Sequence, residues 1–73
     1  MTTKMSTIEL GKRLFLRRTE LGVTQQHVAE LGGISTRLLV AWENGHGNPG
    51  FKQLGSVLAV LGLQLNLTTI IPA

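Results

Sequence analysis

Side chains able to do chemistry are few in this 73-residue chain. Its four acidic residues are all Glu, its two imidazoles are His27 and His46, and it has no Cys. Two histidines without acidic partners make a poor metal site, and the cysteine count excludes a thiolate-held zinc or iron–sulfur cluster. No set of residues is spaced as a nucleophile with its base. Neither an enzyme, a catalytic residue, a metal nor a cofactor is therefore expected. The remaining chemistry is cationic. Seven Lys+Arg against four Asp+Glu give a net charge of +3, which suits an anionic partner.

The elements that carry these residues are read from caps, glycine stops and apolar spacing. Ser6 or Thr7 caps a first helix, with Glu9 placed for a capping box. Leu10, Leu14, Arg18 and Leu21 fall on one face of it, and Gly22 supplies a left-handed stop. Thr24 caps a short second helix from Gln25 to Leu31, ended by Gly32-Gly33. Ser35 caps a third from Thr36 to about Asn44, closed by Gly45. Within it Leu39 and Trp42 face inward, while Thr36, Arg37 and Val40 project away with Ala41 at the edge. Leu38 lies off the Leu39/Trp42 face and is expected to be exposed. Asn48-Pro49 reads as a cap followed by proline at the first position of a fourth helix, whose apolar face is Phe51, Leu54, Val57/Leu58 and Leu61. Gly62 ends it.

Past Gly62 the period changes from about 3.6 to 2. Leu63, Leu65, Leu67, Thr69 and Ile71 alternate with Gln64, Asn66, Thr68 and Ile70, a strand pattern. No other segment reads as its partner, so the simplest pairing is with the same strand of a second copy. The competing reading is a tail that frays or coils over the fourth helix. The reading is thus one domain over 1–73, helical from about 6 to 62, with a dimerisation strand at about 63–71. A core this small is marginal, since such a domain buries only ~60% of its unfolded surface, and association is a common remedy. No leader or membrane segment is visible. The longest apolar stretch, Val57–Leu67, is broken by Gly62, Gln64 and Asn66 and falls short of the ~20 residues a spanning helix needs.

Helices two and three, joined by Gly32-Gly33-Ile34-Ser35, have the layout of a helix-turn-helix. Leu21-Gly22-Val23-Thr24-Gln25, Val28-Ala29, Gly33-Ile34-Ser35 and Trp42-Glu43-Asn44-Gly45 occur in order and together resemble the Xre, or lambda-repressor-like, family. The likeness covers about residues 8–62. It implies a mainly α, four-helix lambda-repressor-like domain whose third helix, through Ser35, Thr36, Arg37, Val40 and Ala41, enters the major groove of DNA. Arg37 is then the best base reader, because a guanidinium can bond guanine O6 and N7 together. Thr36 and Val40 offer methyl contacts to thymine. Gln25, at a helix N-terminus that attracts anions, is the family's phosphate clamp, and Asn44 and His46 resemble its phosphate-contacting turn. The family also pairs Arg18 with Glu43, a partly buried ion pair fixing helix one to helix three. Trp42 belongs to the core.

The C-terminal strand adds a narrower resemblance, to HipB-type antitoxins, whose strands pair across a dimer. Leu63, Leu65, Leu67 and Thr69 would form that seam. This likeness implies an autoregulating repressor on double-stranded inverted-repeat operator DNA, working in the bacterial cytoplasm on the nucleoid, with a HipA-like serine/threonine kinase toxin as partner. Two alternatives stay open. One is a stand-alone regulator without a toxin. The other is a protein-interaction module, suggested by Phe15 and Leu16, which stand where the family commonly carries charge, and by Leu38 and Ile70.

Overall fold

A computed structural model describes residues 6–67, and within them four helices: α1 (Thr7–Leu21), α2 (Gln25–Gly32), α3 (Thr36–Glu43) and α4 (Phe51–Val60). Three of the four start at a hydroxyl cap. The Ser6 side chain accepts from the Glu9 N–H at 3.1 Å, Thr24 from the His27 N–H at 3.1 Å, and Ser35 from the Leu38 N–H at 3.0 Å. Each satisfies one of the donors a helix leaves orphaned at its first turn. Gly22 and Gly33 close α1 and α2 with φ of 70° and 73°, a left-handed conformation that side chains with a Cβ adopt only at a cost.

The fourth start differs from the sequence expectation. Asn48 and Pro49 are not the cap and first helical residue; α4 begins at Phe51, behind an extended Gly50 at φ −69° and ψ 150° with no side-chain cap bond. Glycine is an acceptable residue at that position, and its carbonyl still accepts the Leu54 N–H at 2.9 Å. With the start moved two residues on, Phe51 lies ahead of the packed face and is 83% exposed.

The core is made of Leu14, Val28, Ala29, Leu39, Trp42, Val57, Leu58 and Leu61. Helix α1 packs on α3, and α2 packs on both α3 and α4. Two glycines set these distances. A Cβ at Gly11 would stand 2.3 Å from the Trp42 carbonyl oxygen, and one at Gly32 would stand 2.9 Å from Val57 Cγ2. The α1–α3 approach is thus backbone to backbone. Leu38, expected at the surface, is partly buried and packs against the core. It sits four residues before Trp42 and so shares that residue's side of the helix. Leu21, at the last position of α1, stays 44% exposed although it continues the Leu10/Leu14 stripe.

Beyond α4, the Gly62 turn is followed by residues 63–67, which carry no regular secondary structure. Leu63 folds back on the core, Leu65 is half-exposed and Leu67 fully exposed. Thr69 and the rest of the expected strand lie outside the described residues. No helix is long and apolar enough to cross a membrane among the described residues.

Candidate nucleic-acid interface

The turn between α2 and α3 fixes how the two helices meet. Gly33 reverses the chain, the Ile34 N–H returns to the Ala29 carbonyl at 3.0 Å, and the Ser35 cap starts α3. With Leu39 and Trp42 buried, the opposite side of α3 is left outward. Arg37 is exposed there, flanked by Thr36, Val40 and Ala41, each half-buried. Arg37 is therefore the one long, charged donor on a strip of small side chains. Ser35 lies exposed at the N-terminal end of the strip, its hydroxyl engaged as the cap. Asn44 is the C-cap and exposed. His46 is exposed too, its N–H held by the Ala41 carbonyl at 2.8 Å, so the turn after α3 stays against the helix end.

Where α1, α2 and α3 meet sits a partly buried polar cluster. Arg18 of α1 donates from Nε to Glu43 Oε2 at 2.7 Å and from Nη2 to Glu43 Oε1 at 3.0 Å. Its third contact runs from Nη1 to the Val23 carbonyl at 2.9 Å, tying in the α1–α2 connection. The two side chains are 12% and 4% exposed. A two-pronged fork of this kind is the geometry in which a guanidinium grips a carboxylate. The hydrogen bond to Glu43 raises the Arg18 pKa above its ordinary value; burial works in the opposite direction and the charge of Glu43 adds to the rise. The guanidinium also lies 5.6 Å from the Phe15 ring centroid, which leaves Phe15 47% exposed on the rim.

Gln25 belongs to the same cluster. Its Nε2 donates to Glu43 Oε1 at 3.0 Å, a contact that spacing along the chain does not reveal. Gln25 thus opens α2 half-buried, with one amide hydrogen turned inward. No buried side-chain nitrogen or oxygen among the described residues lacks a partner, so the cluster meets the condition under which buried polar groups rigidify a fold. His27 and His46 are both exposed, and no grouping of three potential metal-ligand side chains occurs among the described residues.

A helix capped at its start, held from behind by an ion pair and presenting one outward face is the working part of a helix-turn-helix, and the chain belongs to that family. A helix-turn-helix family model matches residues 14–67. Solved structures agree on the fold. The structure of a HipA–HipB–O2–O3 complex matches with a TM-score of 0.80 at 24% identity, covering 97% of this chain and 100% of the other. The restriction-modification controller protein C.AhdI from Aeromonas hydrophila matches with a TM-score of 0.76 at 24% identity, covering 80% of this chain and 88% of the other. The clp gene regulator ClgR from C. glutamicum matches with a TM-score of 0.79 at 28% identity, covering 88% of this chain and 82% of the other. No curated protein matches the sequence.

Proposed function

We propose that this protein is a non-enzymatic, sequence-specific transcriptional repressor that binds operator DNA as a homodimer, and that it serves as the antitoxin of a toxin–antitoxin pair. The observation that carries the DNA reading is the outward face of α3. A lone exposed Arg37 between half-buried Thr36, Val40 and Ala41 gives one strong hydrogen-bonding group and several methyl contacts, a combination suited to a few base pairs in a major groove. Gln25, Asn44 and His46 flank that face and serve as phosphate contacts, which set register on the duplex. The net charge of +3 per chain adds an attraction that weakens as salt rises.

Dimerisation is supported by what lies beyond α4. Leu65 and Leu67 are exposed, and a groove of about 420 Å³ runs beside them, with Leu10, Leu16, Leu58 and Leu63 on its apolar side and Arg13 and Glu20 on its polar side. Pairing residues 63–71 between two copies would cover these side chains and give that backbone a ladder of hydrogen bonds. It would also present two α3 helices to one inverted repeat, ~34 Å apart. The antitoxin role is supported by the likeness to HipB, which is described in a HipA–HipB–O2–O3 complex and in complexes with O2 and O4 20mers.

The test is affinity capture of the tagged protein from its native cells after nuclease treatment, with partners identified by mass spectrometry. A kinase-like protein recovered at near-stoichiometric amount supports the antitoxin role. Self-association alone, together with tight binding to its own upstream DNA, contradicts that role and leaves a stand-alone regulator, a description consistent with the likeness to ClgR and C.AhdI.

A further inference from the structure

Gln25 is the residue on which the phosphate contact at the start of α2 rests, and its amide is engaged before any DNA arrives. Nε2 donates to Glu43 Oε1 at 3.0 Å, the same oxygen that accepts from Arg18 Nη2. A carboxylate accepts only, so the amide must turn its nitrogen, not its oxygen, toward Glu43. That bond therefore decides which end of the amide faces the cluster. The carboxylate cannot turn away in response, because Arg18 holds it at both oxygens and is itself anchored to the Val23 carbonyl.

We propose that Glu43 is a positioning residue for DNA binding: through its hydrogen bond to Gln25 it holds that amide in place, with the second N–H free for a phosphate oxygen. The inference rests on the DNA-binding reading above. Two physical consequences follow from the geometry. The loss of rotamer freedom in a long side chain is taken during folding rather than at binding. The second N–H of the amide, which makes no contact within the cluster, is the one left for a phosphate oxygen. Arg18 acts one step further back, by holding Glu43.

A phosphate contact is independent of base sequence, so the test needs no operator. A short mixed-sequence duplex at low salt is titrated by fluorescence anisotropy with the wild type, Gln25→Ala, the double variant Arg18→Met/Glu43→Leu, and the triple variant that adds Gln25→Ala. The apolar pair keeps the interior filled without a lone charge. In the wild-type background Gln25→Ala weakens binding about ten-fold, the scale of one hydrogen bond to a charged group. In the apolar background the same substitution changes affinity by less than about two-fold, since the contacts are coupled. Equal losses in both backgrounds overturn the positioning role while leaving DNA binding intact. Failure of the wild type to bind the duplex overturns the DNA reading and this inference with it.

A second measurement uses the wild type alone and decides the matter if the apolar pair does not fold. Relaxation of the side-chain amide of Gln25 in the free protein gives an order parameter near the rigid range, roughly 0.8, against below about 0.6 for the exposed Gln53. A Gln25 amide as mobile as that of Gln53 overturns the proposal.

Discussion

The cluster behind α3 and the arm after α4 are opposite solutions to the same shortage of core. Arg18, Glu43 and Gln25 come from three helices and are linked by bonds of 2.7–3.0 Å, and no buried side-chain nitrogen or oxygen of the described residues is left unpaired. Residues 63–67 are the reverse: without regular secondary structure, with Leu65 half-exposed and Leu67 fully exposed. The first region is complete within one chain. In the second, Leu63 packs on the core while Leu65 and Leu67 stay largely uncovered by their own chain. On the reading proposed above, the finished region would steady the α3 face and the unfinished one would be where a second copy pairs.

The comparison can be broken first at Glu43. Glu43→Ala leaves the Arg18 guanidinium buried without its acceptor and frees the Gln25 amide, at a cost of ~3–5 kcal/mol. Each kcal/mol moves the midpoint of so small a domain by about 4–8 °C. Thermal unfolding followed by circular dichroism is then expected to show a midpoint lower by more than ten degrees, or no cooperative transition. A midpoint within a degree or two of wild type would mean that the cluster contributes little.

Next in size is Gly11→Ala. The new methyl would meet the Trp42 carbonyl oxygen at 2.3 Å and the Glu43 carbonyl oxygen at 2.9 Å, both backbone atoms, so α1 must move away from α3. Overpacking of this kind costs ~1–3 kcal/mol, and urea midpoints should fall accordingly. Because the shift also pulls Arg18 from Glu43, the variant should lose affinity for DNA beyond what its lower stability explains.

Arg37→Ala separates binding from folding. The side chain is exposed and away from the core, so stability should change by no more than about 0.5 kcal/mol. Affinity for the specific site should fall by ~1–3 kcal/mol with relaxed discrimination at one base pair. An interaction module that ignores DNA would be indifferent to the change.

The smallest effect on a single chain, and the sharpest on the arm, belongs to Leu67→Asp. With its side chain fully exposed, the substitution should leave the dilute protein's unfolding within about 0.5 kcal/mol of wild type. Sedimentation should nonetheless show that it no longer self-associates at concentrations where wild type does. An unchanged dimer would place the seam elsewhere.

What could be read from the sequence followed how local each signal was. The hydroxyl caps at Ser6, Thr24 and Ser35 and the stops at Gly22 and Gly33 act within a turn or two, so α1, α2 and α3 were legible almost to the residue. The start of α4 was not, because Asn48-Pro49 and Gly50 are both acceptable openings and the choice depends on how the chain leaves α3. Leu38 was misplaced by treating Leu39 and Trp42 as the whole inward face. An eight-residue helix packed on both α1 and α2 has a wider buried side. Arg18 and Glu43 lie 25 positions apart, beyond any periodicity, and were visible only through the ordered motifs of the family. The Gln25–Glu43 bond was not visible at all. It depends on where three helices converge.

The measurement that bears most directly on the DNA reading is hydroxyl-radical footprinting of wild type and Arg37→Ala on the DNA upstream of the protein's own gene. The account predicts two protected patches on one face of the duplex, about one helical turn apart, present with wild type and lost or blurred with Arg37→Ala at equal concentration. Uniform protection, or an identical pattern for both proteins, would contradict a dimer that reads sequence through α3.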